Sequence, residues 1–159
     1  MASLDRVVLP LRVLLVLLLA GLVVGQVLSI PGQFAHLAEE EPDLAHLRWP
    51  LTAFFVLEVL ALQVVVVCTW RLLTMVRADR IFSDEAFAWV DGIVAAVGAG
   101  WVLYAAGALW VLTQADDPGT GILLIGLGLV GGVVTLVVVV LRALLHQAAA
   151  LRSELEAVI

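Results

Sequence analysis

Glu58 is the residue whose type and place could do chemistry. It sits in an apolar run, residues 51–70, otherwise broken by Gln63. A carboxyl inside a bilayer is costly, so it faces neighbouring helices and serves a ligand, an ion pathway or a hydrogen bond. Counted inward from Pro50 at 1.5 Å per residue, it lies about 12 Å below the outer edge of the membrane. Tyr104, counted from Thr113, lies at about the same depth and is the expected hydrogen-bond partner. Gln26 is nearer the surface and completes an intramembrane polar cluster. On one reading Glu58 is a proton-linked or ligand-binding carboxylate. On the other it is a neutral acid that holds helices together. The arginines lie at the span ends, and no Arg, Lys or His stands within the membrane interior as a partner for Glu58, which favours the second.

Other chemistry is poorly supplied. His36, Glu39 and Glu40 share a face if their segment is helical, and His46 follows. A zinc site needs such donors in fixed geometry, and Pro42 interrupts them, so a solvated acidic loop and no metal are expected. Ser29, Ser83 and Ser153 have no His and Asp that spacing ties to them. No catalytic residue, enzyme activity or cofactor is expected. Gly126-Leu127-Gly128 lacks the strand and Lys of a phosphate loop. Cys68 is the one cysteine, which excludes an internal disulfide and a Cys-based zinc site.

The elements that must position these residues follow from composition. The chain has 159 residues, 64% hydrophobic and 14% charged. Ordinary globular chains are roughly 45–50% apolar and roughly 25% charged. A soluble body this small could not hide so much apolar surface. Residues 13–38, 51–70, 92–115 and 118–141 are long apolar runs. A helix needs about 20 such residues to cross the hydrocarbon, and barrel strands would be shorter and alternating. Transmembrane spans are expected at about 11–31, 50–71, 92–113 and 120–142, followed by a tail helix at 143–159. The first run is too long for a signal peptide core. The expected fold is an all-α integral membrane four-helix bundle with a helical extension after the fourth span.

Arginine placement sets the expected direction. Arg6, Arg12, Arg71, Arg77, Arg80, Arg142 and Arg152 fall on one side and only Arg48 on the other. The arginine-rich side is the cytoplasm, so both termini are expected inside. Glu39, Glu40, Glu41, Asp43, Asp116 and Asp117 fall outside. Trp49, Trp70, Trp89 and Trp110 lie at span ends, where indole rings prefer the headgroup layer. The net charge of −6 and the absence of Lys argue against direct nucleic-acid binding. Arg as the only basic type, with abundant Ala, Val, Leu and Gly, suggests a GC-rich bacterial genome and hence a bacterial cytoplasmic membrane.

Two polar segments look structured. Ser83 has the character of an N-cap, Asp84 and Glu85 suit a first helical turn, and Phe82 with Phe87 forms a hydrophobic staple. In the tail, Leu144, Leu145, Ala148, Leu151, Leu155 and Val158 form an apolar stripe. It would pack on the inner loop, lie on the bilayer or dock a partner helix. Small residues at four-residue spacing, Gly21 with Gly25, Ala96 with Gly100 and Gly128 with Gly132, predict close helix packing, within the chain or in a homodimer. Gln63 and Thr135 lie at about 20 Å depth and are expected to pair.

The segment 78–87, ADRIFSDEAF, and the terminal 150–159, ALRSELEAVI, carry a resemblance. With four spans they resemble the bacterial membrane family catalogued as domain of unknown function 2975. Phe82, Ser83, Glu85, Glu154 and Ile159 match its features. The chain departs from it in lacking an Asn in the capping segment and in its Ala-rich tail. The resemblance implies no activity. It does imply a partner, because members are often encoded beside a small helix-turn-helix regulator. The expected function is thus a non-catalytic, membrane-anchored interaction or regulatory partner. Phe82, Ser83, Glu85, Arg152 and Glu154 would carry it. The alternative is a small transporter or channel-like protein using Glu58.

Overall fold

The computed structural model describes residues 2–114 and 117–159, with side chains from Arg6 onward. Asp116, expected among the outer acids, lies outside the described residues. Helix α1 (Ala2–Val24) runs through a π-helical turn (Gly25–Ser29) into α2 (Ile30–Glu40). A 3-10 segment (Pro42–Leu47) leads into α3 (Arg48–Arg77). Helices α4 (Asp84–Gln114) and α5 (Pro118–Val158) complete the chain. No strand occurs among the described residues.

Four helical stretches are long and apolar enough to cross a membrane: α1 with α2, the 3-10 segment with α3, then α4 and α5. This is the build of a multi-pass membrane protein. Only small or scattered side chains are buried, among them Leu15, Val66, Cys68, Met75, Ala86 and Ala96. Large apolar side chains such as Leu123, Leu129 and Leu136 stay exposed. Lipid solvates such surfaces directly.

The breaks between helices have local causes. Pro31 has no N–H to donate to the Val27 carbonyl, so the regular ladder fails there. The Ile30 N–H reaches back to Gly25 instead, which is π-helical bonding. At the end of α3, Asp79 takes the left-handed conformation at φ 52°. Its N–H bonds to the Val76 carbonyl at 3.2 Å and the Arg80 N–H to Met75 at 2.9 Å, a Schellman stop with Asp where Gly is usual. Ser83 accepts from the Ala86 N–H at 3.3 Å and caps α4. Asp117 accepts from the Thr120 N–H at 2.9 Å and caps α5.

Each helix packs on its neighbour in sequence: α1 and α2 on α3, α3 on α4, and α4 on α5. Among the described residues, α5 packs on neither α1 nor α3. The arrangement is therefore an open row and not a closed four-helix bundle. The row curves, so that α3 and α5 flank a groove whose floor is α4. Helices in lipid feel no hydrophobic drive to close, and only small-residue contacts and polar pairs hold them. The α1–α5 pair has neither.

Arginines and aromatics clip the row at one end. The Arg12 Nη2 donates to Thr74 Oγ1 at 3.1 Å, and the guanidinium lies 5.3 Å from the Trp70 ring centre, joining α1 to α3. Arg71 lies 5.4 Å from the Trp89 ring, joining α3 to α4. Arg142 pairs with Asp91, and the Phe87 ring stacks on His146 at 4.2 Å, joining α4 to α5.

Candidate functional site

Two places collect polar groups on a defined frame. The first is the groove over α4. Near the acidic end it has a volume of 640 Å³ and is walled by Leu51, Phe54, Phe55, Tyr104, Gly107, Trp110 and Leu124. Deeper along the helices a section of 540 Å³ is walled by Ala61, Val97, Gly100, Trp101, Val134 and Thr135. Glu58 and Tyr104 line both sections. The carboxyl rests over Gly100, where an added Cβ would lie 3.6 Å from Oε2. The other oxygen, Oε1, is buried and has no hydrogen-bond partner among the described residues.

The expected three-residue polar cluster is not formed. Tyr104 does not bond to Glu58; its hydroxyl donates to the Leu124 carbonyl of α5 at 3.0 Å. One turn away, the Trp101 indole donates to the Gly128 carbonyl at 2.9 Å. Glycines make this approach feasible. An added Cβ would lie 3.5 Å from the Tyr104 ring at Gly128 and 2.8 Å from the Trp101 ring at Gly131. Gln26 lies on a different interface. Its amide donates to the Val56 carbonyl at 3.3 Å, and its Oε1 accepts from Gln63 at 2.6 Å. Gln63 therefore does not pair with Thr135, whose hydroxyl bonds within α5 to Gly131 at 2.8 Å. The depths counted along the helices agree, but among the described residues α3 and α5 do not pack against one another.

The packing glycines divide. Gly100, Gly128 and Gly132 face side chains of neighbouring helices. Gly21 and Gly25 face nothing within 4 Å. Trp101 escaped the sequence reading, although its place three residues before Tyr104 puts both on one face of α4. Gly107 escaped it too; a methyl there would overlap the Phe54 ring.

The second place is the arginine end, where α5 meets the turn between α3 and α4. A cleft of 320 Å³ is lined by Asp79, Arg80, Phe82 and Ser83 on one side and Ala149, Arg152, Ser153 and Glu156 on the other. The Arg152 guanidinium lies 5.1 Å from the Phe82 ring and pairs with Glu156 at 3.1 Å. Glu85 pairs with Arg80 at 2.9 Å. Of the candidate interaction residues, Phe82, Ser83, Glu85 and Arg152 thus have partners within the chain. Glu154 is exposed, as is the stripe Leu144, Leu151, Leu155 and Val158.

At the acidic end, His36 Nε2 lies 3.3 Å from Glu40 Oε1, while the His46 ring turns to the Asp43 carbonyl at 2.9 Å. Among the described residues no three His, Cys, Asp or Glu side chains gather as metal donors.

No curated protein and no solved structure matches the chain. The family model described as "Protein of unknown function (DUF2975)" matches residues 32–159, from the first turn of α2 through the end of α5. That stretch holds the groove, the Schellman turn and the loop–tail cleft, and it places the chain in that family.

Proposed function

We propose that this protein is a non-catalytic, membrane-anchored interaction or regulatory partner, working through the cleft between the α3–α4 turn and the end of α5. The length of α5 supports this reading. Its 41 residues are unbroken. At 1.5 Å per residue they extend about 60 Å, against about 40–45 Å for a bilayer with its headgroups. The last turns therefore stand in water, and they do so with Leu151, Leu155 and Val158 exposed. A straight continuation of a spanning helix does not lie flat on the lipid surface. That leaves a protein as the natural cover.

In this proposal both termini and the α3–α4 turn are cytoplasmic, and the membrane is a bacterial plasma membrane. The partner is a cytoplasmic protein, and a small helix-turn-helix regulator is the kind the family resemblance implies.

A crosslinking pull-down from native membranes tests this. Tagged wild type is compared with Glu154→Arg, Leu151→Arg and a version truncated after Leu145. Recovery of one cytoplasmic protein with wild type, weakened by the point changes and lost on truncation, supports the reading. Equal recovery from all four, or none from any, sinks it.

A further inference from the structure

We propose that the groove between α3 and α5 is a binding site for a hydrophobic organic cation, with Glu58 as its counter-charge. The inference stands apart from the loop–tail reading, since it concerns the other end of the molecule.

Glu58 Oε1 is buried without a partner among the described residues. Side-chain donors in the groove wall are engaged elsewhere: Tyr104 with the Leu124 carbonyl, Trp101 with the Gly128 carbonyl and Thr135 with the Gly131 carbonyl. No Arg, Lys or His lines either section of the groove. A carboxylate in such surroundings is expensive unless a cation or a proton meets it.

The walls then select the cation. A volume of 640 Å³ near the acidic end falls within the range of small-molecule sites, about 300–1,000 Å³. Phe54, Phe55, Tyr104 and Trp110 supply aromatic surface there. Aromatic faces attract organic cations, the more so when water is excluded. A hard metal ion needs several oxygen ligands, and among the described residues Glu58 is the only carboxylate lining the groove. The ammonium of a lipid headgroup stays at the surface, whereas Glu58 lies about 12 Å below it. What fits is a charge carried by its own apolar body.

The open row supplies the entrance. Because α5 packs on α4 and, among the described residues, not on α3, the groove lies open between α3 and α5. A hydrophobic cation partitions into the lipid first.

The test uses the full-length protein in lipid nanodiscs and equilibrium dialysis of tetraphenylphosphonium, with empty nanodiscs subtracted. Tetraphenylborate, of the same shape and opposite charge, and neutral triphenylphosphine oxide are measured beside it. Saturable phosphonium binding is expected, with affinity at least tenfold weaker in Glu58→Gln and partly kept in Glu58→Asp. Where Glu58→Gln does not fold, wild type alone decides. Tetraphenylphosphonium should then protect Glu58 from dicyclohexylcarbodiimide, read by peptide mass mapping, and tetraphenylborate should not. Binding no greater than in empty nanodiscs overturns the proposal. So do equal binding of the anion or the neutral probe, an unchanged affinity in a folded Glu58→Gln, and a Glu58 adduct unaffected by the cation.

Discussion

Gln63 of α3 donates from its amide to the Gln26 Oε1 at 2.6 Å, across the interface that holds the first helical rod to the rest of the row. Gln26 sits in the π-helical turn, and its own amide reaches the Val56 carbonyl. One side chain thus engages α3 at two points.

Breaking that pair should loosen the first rod. Gln26→Leu and Gln63→Leu are each expected to destabilise the fold, and the double variant should cost less than their sum. Interhelical hydrogen bonds in membranes average about 0.6 kcal/mol and reach about 1.7 kcal/mol. A double-mutant cycle from unfolding in mixed micelles measures the coupling. Strict additivity would show that the contact is not energetically real.

The glycines should separate by direction. Gly107→Ala drives a methyl into the Phe54 ring and Gly131→Ala one into Trp101. Each should cost about 1–3 kcal/mol, the usual range for overpacking. Phe54→Leu should rescue Gly107→Ala. Gly21→Ala and Gly126→Ala meet open space. They should be neutral or stabilise by about 0.5–1 kcal/mol, because glycine is a poor helix former. Thermal unfolding of the four variants distinguishes the sets. A loss at Gly21 would mean that a second copy packs there.

Trp101→Phe and Tyr104→Phe remove the donors to Gly128 and Leu124 while keeping the rings. Each should cost about 0.6–1.7 kcal/mol. Hydrogen exchange along α5 should rise in both, with α1 unaffected.

Asp117 predicts a pH effect at the start of α5. The Thr120 N–H, the Gly119 N–H and the Thr120 hydroxyl hold its carboxyl below the usual carboxylate range. A lowered value in the folded state means that its stabilisation is present above the unfolded value, about 3.9, and is lost as the pH falls through the folded one. Asp117→Asn can still cap, but should remove that component of acid sensitivity. Melting curves from pH 7 to pH 3 read it. An identical acid profile in the variant would refute the assignment.

Cys68 is buried, and an added Cβ at Gly92 would lie 3.1 Å from its sulfur. It should resist maleimide until the protein is unfolded. A Cys68→Ala background then permits topology mapping. Cysteines at Ser83 and Ser153 should label only from the cytoplasmic side and one at Asp43 only from outside. The reverse pattern would overturn the proposed orientation.

The parts legible in sequence are those with a charge boundary or a cap. Long apolar runs mark four helices long enough to cross a membrane, and Ser83 and Phe82 mark the start of α4. The partners within the membrane were not legible, for a geometric reason. Rise per residue gives the depth of Glu58, Tyr104, Gln63 and Thr135, but not the direction each faces around its helix axis. In a soluble helix the apolar stripe supplies that angle. Spans such as α5, apolar all round, carry no such stripe. The π-helical turn before Pro31 rotates everything after it, which no regular count anticipates.

The row in which, among the described residues, each membrane-long helical stretch rests only on the stretch before or after it has a consequence for biosynthesis. Every interface in it joins segments that are synthesised one after the other. Once α3 enters the bilayer its partner is already there, and the same holds for α4 and then α5. No early span has to wait for a late one, so the order of packing can follow the order of synthesis.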